Sequence, residues 1–207
     1  MVMEEQLFET IMEKHTEKKV VSCCKKLIKK NTLTSWATSE TLSDLAYWLY
    51  VYGHKEDALK VCEFAHLEEP TPEKLNFNVW SFVLFVWGLE AYILREMGDE
   101  KGCQERIAAM DRIWHIPTPT VGDDPLRIDN VERARRDRFD IDFVISKRNM
   151  DAAIARNDKT SANGYRFTAL KGLIGLGVTG LYPHLENNKT VVDNLIEEYI
   201  QILNEKK

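Results

Sequence analysis

The sequence predicts an all-α fold, and three observations lead to this class. Glycine and proline together supply 16 of the 207 residues (10 Gly and 6 Pro), which favours long regular elements over a turn-rich architecture. Apolar residues recur every three or four positions, as they do on one face of a helix. No segment alternates between apolar and polar residues for long enough to indicate a strand. We therefore expect eight or nine helices of about 12 residues each, arranged as antiparallel hairpins.

The prolines divide the chain into segments that are free to form helices, because a proline ends a helix unless it lies in the first turn. These segments are 1–69, 73–116 and 126–182. The stretch His115–Asn130 contains three of the prolines and is the predicted linker. We predict a single helical domain over 1–207. The alternative is a division into a repeat-like half at 1–116 and a C-terminal helical half at 126–207.

A basic amphipathic stretch lies near the N-terminus. The apolar residues that would share one helix face are Val20, Val21, Cys24, Leu27 and Ile28. The lysines around them are Lys18, Lys19, Lys25, Lys26, Lys29 and Lys30. Such a helix can rest on an anionic membrane. A helix that closes the end of a helical stack needs the same apolar face and solvated back, and we expect this second role.

The longest apolar run is Val79–Leu89, and it continues after Glu90 as far as Leu94. Crossing a bilayer takes about 20 residues, so this charged and shorter stretch is not expected to span a membrane. Its length exceeds that of a usual strand, and no turn signal interrupts it. We expect a helix that is apolar on all sides and lies in the middle of the fold.

Two further apolar stripes predict helices later in the chain. One consists of Cys103, Ile107, Met110 and Trp114. The other consists of Val192, Leu195, Ile196, Tyr199, Ile200 and Leu203. Thr190, with Asp193 three residues later, has the capping-box arrangement and predicts the start of the last helix. Asp124 before Pro125 is a predicted helix start by the same reasoning.

Charge and cysteine content limit the classes of partner and compartment. The 28 basic and 33 acidic side chains give a formal net charge of −5, which disfavours nucleic acid as a partner. The four cysteines, Cys23, Cys24, Cys62 and Cys103, have neither a C-x-x-C spacing nor a second pair to complete a metal site. We interpret them as reduced thiols and expect a cytoplasmic protein. No signal-peptide pattern is found at the N-terminus.

The segment from Leu45 to Pro70 resembles a tetratricopeptide repeat, a pair of antiparallel helices that pack through small residues. It reads LAYWLYVYGHKEDALKVCEFAHLEEP. The matching positions are Leu45 and Ala46 for the leucine-glycine pair, Gly53 for the turn, Ala58 and Ala65 for the small contacts, and Pro70 for the end. Leu49 and Cys62 stand where the family has aromatic residues. The resemblance implies a stacked, right-handed array of helical hairpins.

A degenerate second copy is found when Gly98 is placed at the turn. The core positions then fall on Trp87, Ala91, Leu94, Cys103, Ile107 and Met110. Glu90 and His115 depart from the pattern. The two turn glycines are 45 residues apart rather than the 34 of a regular array, and no third copy follows Asn130.

The resemblance also implies a concave groove formed by the first helix of each pair. The residues expected to contact a partner there are Ser43, Tyr47, Tyr50 and Val51 from the first copy, and Tyr92, Arg95 and Glu96 from the second. Tyrosine and arginine supply much contact area at interfaces. In the alternative interpretation, the three tyrosines pack under a neighbouring helix with their hydroxyl groups in water.

Several sequence patterns are associated with catalysis or ligand binding in other proteins, but we do not assign them those roles here. Gly175-Leu-Gly-Val-Thr-Gly180 matches G-x-G-x-x-G, but a strand should precede the glycines and a helix should follow them. Helix packing or a helix end is the expected role of these glycines. The histidines at 15, 54, 66, 115 and 184 have no zinc-ligand spacing. Arginines between Arg127 and Arg148 alternate with acidic residues and suggest exposed helix pairs rather than an anion site.

We therefore expect a non-enzymatic helical-repeat protein that binds a protein or peptide in a groove, as an adaptor or an immunity-type inhibitor, without a cofactor or metal. The alternative is a small-molecule hydrolase or metal-dependent enzyme. Its site would be assembled from carboxylates and histidines on distant helices, with Asp129, Glu132, Asp140 and Asp142 as the acidic candidates.

Overall fold

The computed structural model describes residues 16–30, 39–65, 77–114, 138–180, 185 and 188–205. These residues form eight helices and no strand, which confirms the all-α prediction. The helices are α1 Glu17–Lys30, α2 Ser39–Val51, α3 Lys55–Ala65, α4 Phe77–Glu96, α5 Glu100–Trp114, α6 Arg138–Ala155, α7 Lys159–Thr179 and α8 Lys189–Asn204.

Three tight turns of one kind join α2 to α3, α4 to α5 and α6 to α7. Each turn contains one residue with positive φ: Gly53 at 84°, Gly98 at 83° and Asn157 at 57°. The next residue donates its backbone N–H to the carbonyl five positions earlier, as in the bond from His54 to Leu49. This pair of features is the Schellman helix end. The two glycine turns were predicted, whereas the third hairpin was missed because asparagine takes the place of glycine.

The predicted hairpin after Leu45 is present in its described part, which ends at residue 65. Leu45, Ala46 and Ala58 are fully buried, as close packing of two helices requires. Pro70 and the predicted linker His115–Asn130, with Asp124, lie outside the described residues. The arrangement of the hairpins as a tetratricopeptide-like right-handed array stays a prediction.

The core lies between α2, α4 and α7. The most deeply buried side chains in these helices include Leu42, Leu49, Leu84, Leu89, Ile93, Leu173 and Ile174. Residues 83–93 of α4 are all buried, which confirms the prediction of a helix that is apolar on all sides. Within the described residues, no helix is both long and apolar enough to cross a membrane.

Helix α1 covers α2 and α3 with its apolar face. Val20, Cys24 and Leu27 are buried there, whereas the described lysine side chains of α1 are exposed. This is the geometry expected for a helix that closes the end of a stack.

Helices α6 and α7 approach each other closely at two glycines of α7. A Cβ atom added at Gly172 would lie 2.7 Å from the carbonyl oxygen of Phe139, and one at Gly175 would overlap the Phe139 ring. Gly175 and Gly177 lie inside α7, and Gly180 forms its left-handed C-cap. The glycines of the G-x-G-x-x-G match therefore serve helix packing and helix termination.

The start of α8 differs from the prediction. Asn188 is the N-cap, and its side chain accepts a hydrogen bond from the backbone N–H of Val191 at 3.2 Å. Thr190 lies in the first turn of the helix instead. The prediction from Thr190 and Asp193 was wrong because Asn188 offers the same kind of side-chain acceptor two residues earlier.

Candidate functional site

The residues predicted to contact a partner lie mostly inside the core. Ser43, Tyr47, Tyr50, Val51 and Tyr92 are all at most 8% exposed. The tyrosines pack under neighbouring helices, as the alternative interpretation held, but two of their hydroxyl groups bond to protein: Tyr47 donates to the Phe85 carbonyl and Tyr50 to the Glu96 carboxylate, both at 3.0 Å. In this conformation a partner cannot reach these five side chains.

Arg95 and Glu96 lie at the end of α4 and are held by other groups. Arg95 Nη1 donates to the carbonyl of Gly177 at 3.0 Å, and its guanidinium lies 5.1 Å from the Tyr92 ring centroid. Glu96 also pairs with Lys55 at 3.1 Å. Of the seven predicted residues, Glu96 alone is classed as exposed. The predicted partner contacts therefore reduce to the edge that Arg95 and Glu96 form.

A buried charged cluster lies where α2, α4, α6 and α7 meet. Lys171, which is 6% exposed, forms an ion pair with Asp44. Its ammonium group also lies 5.0 to 5.8 Å from the ring centroids of Phe167, Tyr47 and Phe85. Aromatic faces attract a cation, so the three rings and the Asp44 carboxylate together surround this ammonium group. The cluster ties the first described hairpin to the last one.

Asp142 and Arg138 on α6 extend this cluster. Their ion pair measures 2.7 Å, and both side chains are mostly buried. Burial raises the pKa of Asp142 to about 6, against the opposing effect of Arg138 and Lys171. Asp140 lies between them in the sequence and is also buried. The other acidic candidates, Asp129 and Glu132, lie outside the described residues. Arg138 thus pairs with Asp142 within α6, whereas Lys171 pairs with Asp44 across two helices.

A cleft of about 750 Å³ lies where the ends of several helices come together. The start of α1, the α2–α3 turn, the α6–α7 turn and the end of α8 form its walls. Its apolar lining includes Tyr52, Ile154, Ala162, Ile202 and Leu203. Its polar lining includes Asn157, Asn163, Asn204 and Arg166, with Glu17, Lys18, Asp158, Lys159 and Glu205 at charged positions.

The helix ends explain why polar side chains gather in this cleft. Asn157 occupies the positive-φ position of the turn, where a short amide side chain is tolerated. Asp158 is the N-cap of α7, and its carboxylate accepts from the Ser161 N–H at 3.0 Å. Hydrogen bonds from the Ser161 side chain and then from the Ser161 backbone N–H lower the pKa of Asp158. Asn163 and Arg166 follow on the same face of α7, at the spacing of a helix turn.

Arg166 is the polar side chain of the cleft with the most unusual environment. It is 9% exposed, and its Nη1 donates to Asn163 Oδ1 at 2.6 Å. Its Nε–H has no hydrogen-bond partner in the part of the chain that the structure describes. The ring of Tyr199 lies 5.9 Å from the guanidinium. No carboxylate of the described residues forms an ion pair with it.

A second, smaller cleft of about 610 Å³ runs along the exposed face of α1. Its charged lining includes Lys18, Lys25, Lys26 and Lys29, and His54 closes one side. His54 Nε2 lies 3.2 Å from the Glu17 carboxylate. This histidine is the only one of the five within the described residues.

All four cysteines are free thiols with buried side chains. Burial raises the pKa of Cys23 to about 11 and that of Cys24 to about 12. Burial also raises the pKa values of Cys62 and Cys103. Because a thiol attacks as its thiolate, these four are unsuited to nucleophilic chemistry. The described residues contain no group of three or more His, Cys, Asp or Glu side chains placed to hold a metal ion.

Comparison with known families places the chain in one of them. A family profile matches residues 3–205, which is nearly the whole sequence. The chain belongs to DUF6707, a family of unknown function. No curated protein and no solved structure matches it. Membership in DUF6707 extends over the core, the charged cluster and both clefts.

Lys171 and Arg166 were not predicted as site residues. A signal was present for Lys171, because it interrupts the apolar stretch Ala169–Leu176 of a predicted helix, where a charge needs a buried partner. Arg166 stands one residue before Phe167 in the same helix. The identity of their partners was not predictable, since Asp44 is 127 residues away from Lys171.

Proposed function

We propose that this protein binds a protein or peptide without catalysing a reaction, and that the larger cleft is the surface that binds it. The predicted groove on α2 and α4 is filled by the protein's own side chains. The cleft at the helix ends combines an apolar wall with hydrogen-bonding groups and is open. A helical-repeat role as an adaptor or an immunity-type inhibitor is compatible with this surface.

The exposure of the apolar Ile154 side chain is the observation that carries this proposal. Its side chain is 52% exposed at the wall of the cleft, which the half-buried Tyr52 also lines. An exposed large apolar side chain is ordinary by itself. Ile154 differs because it adjoins a concave surface, where covering it would remove apolar area on both partners from water.

The asparagines of the cleft support a peptide as the bound molecule. Asn157, Asn163 and Asn204 each carry one acceptor and two donor hydrogens in the side-chain amide. An extended peptide presents alternating N–H and C=O groups, which such amides can pair. The four free thiols further support a reducing compartment, and we propose the cytoplasm.

A selection of displayed random dodecapeptides against the full-length protein tests this proposal. Selected peptides are expected to bind at least tenfold more weakly to an Ile154→Asp variant, because a charge then replaces the apolar wall. Ile145→Asp is the matched control, since Ile145 lies on the same helix at 54% exposure and does not line the cleft. Equal binding of the selected peptides to both variants would reject the cleft as the binding surface.

A further inference from the structure

Arg166 differs from the other buried cation of the described residues. Lys171 and Arg166 are the two that are buried, and Lys171 has a carboxylate partner in Asp44. The less buried Arg106 and Arg138 also have carboxylate partners, at 2.9 Å and 2.7 Å. Arg166 has an amide and an aromatic ring instead. A buried guanidinium without a counter-ion loses hydration that an amide restores only in part.

The guanidinium group of Arg166 lies at the cleft, since Arg166 is one of the lining residues. Side chains on a helix tilt toward its N-terminus. Arg166 therefore extends over Asn163 toward the start of α7, and both residues line the cleft. Asp158 forms no ion pair with Arg166, and one of its carboxylate oxygens caps the backbone of α7 through the Ser161 N–H. Asn163 uses its oxygen for Arg166, which leaves its two amide hydrogens for another acceptor.

We infer that the cleft recognises an acidic side chain, Asp or Glu, of the bound peptide, with Arg166 as its ionic partner and Asn163 as a second donor. This inference rests on the proposed function. Guanidinium groups bind carboxylates through two parallel N–H donors, and Arg166 keeps donors that Asn163 does not use. The bound carboxylate supplies the counter-ion that none of the described residues provides. The apolar wall at Ile154 then contacts the residue beside the acidic one.

Peptides that are N-acetylated and C-amidated test this inference, because they have no terminal carboxylate. Selected dodecapeptides are synthesised in this form, together with versions in which each Asp is replaced by Asn and each Glu by Gln. Their dissociation constants are measured for the wild-type protein and for Arg166→Gln. We expect an acidic residue at a fixed position, and a loss of at least tenfold both on neutralising it and on Arg166→Gln.

The Arg166 Nε–H resonance, assigned by its loss in Arg166→Lys, gives a second readout. It is expected to shift with the acidic peptide and not with the neutralised one. Peptides that need Ile154 but show no acidic preference would overturn this inference and leave the proposed function intact. Tighter binding of inorganic phosphate than of the acidic peptide would also overturn it. Failure to select any peptide that depends on Ile154 would reject the proposed function, and this inference with it.

Discussion

Lys171 on α7 forms an ion pair with Asp44 on α2, a residue 127 positions earlier in the chain. The pair is surrounded by the aromatic rings of Tyr47, Phe85 and Phe167. Two distant hairpins thereby share one electrostatic contact inside the core. Arg166, five residues before Lys171 on the same helix, is buried to a similar extent, and no carboxylate in the described ranges pairs with it. Because Lys171 has a carboxylate partner among the described residues and Arg166 has none there, we assign Lys171 to core packing and propose Arg166 as a binding residue.

Replacing each cation by methionine is expected to have different consequences for stability. Lys171→Met leaves Asp44 without its partner and should lower the free energy of unfolding by about 2–4 kcal/mol. Arg166→Met removes a charge that has no carboxylate partner among the described residues, so stability should change by less than about 1 kcal/mol or increase. Urea denaturation followed by circular dichroism measures both. A loss of similar size in the two variants would show that Arg166 is compensated in a way the structure does not reveal.

Glycine-to-alanine substitutions in α7 test the close approach to α6. At Gly175 a methyl group overlaps the Phe139 ring, and we expect a loss of about 2–3 kcal/mol in unfolding free energy. Gly164 is the control in the same helix, because it is exposed and nothing lies within 4 Å of an added Cβ. Gly164→Ala should stabilise the protein by about 0.5–1 kcal/mol through helix propensity. Two stabilising substitutions would contradict the described packing.

The raised pKa of Asp142, about 6 in the folded protein against 3.8 as the ordinary value, predicts a pH dependence. The folded state holds the proton more tightly than the unfolded state. Stability from this group is therefore fully present below pH 4 and is lost as the pH rises through 6. Relative to Asp142→Asn, the wild-type protein should lose on the order of 2–3 kcal/mol between pH 4 and pH 7. Parallel pH profiles for the two proteins would rule this out.

The four cysteines should resist modification in the folded protein. They are buried, and burial raises their pKa values, so little thiolate is present at pH 8. We expect a thiol-reactive disulfide reagent to label less than one equivalent per chain over an hour at pH 8, and four in 6 M guanidinium chloride. Rapid labelling of the native protein would instead indicate an accessible thiol.

Local patterns in the sequence were sufficient to predict the helices and two of the three turns. Gly53 and Gly98 mark turns because they adopt positive φ without steric cost. Asn157 adopts the same conformation less readily, so its turn had a weaker signal. The prediction that α8 starts at Thr190 failed because asparagine caps helices as well as threonine does, and Asn188 stands two residues earlier.

The candidate site was not predictable, because burial depends on contacts between distant segments. Tyr50 and Tyr92 have the composition of an interface, but they pack against each other with ring centroids 6.0 Å apart. The larger cleft combines residues from both ends of the chain, such as Lys18 and Asn204. A family resemblance that covered one hairpin could not place the surface that the last helices complete.

The central claim is that the cleft around Ile154 and Arg166 is where a peptide binds. The most direct measurement is chemical-shift mapping of the full-length protein with one selected peptide. We predict that the largest perturbations fall on Ile154, Asn157, Asn163 and Arg166, with little change at Arg95 and Glu96. Perturbations centred on Glu96, or on the lysines of α1, would contradict the claim.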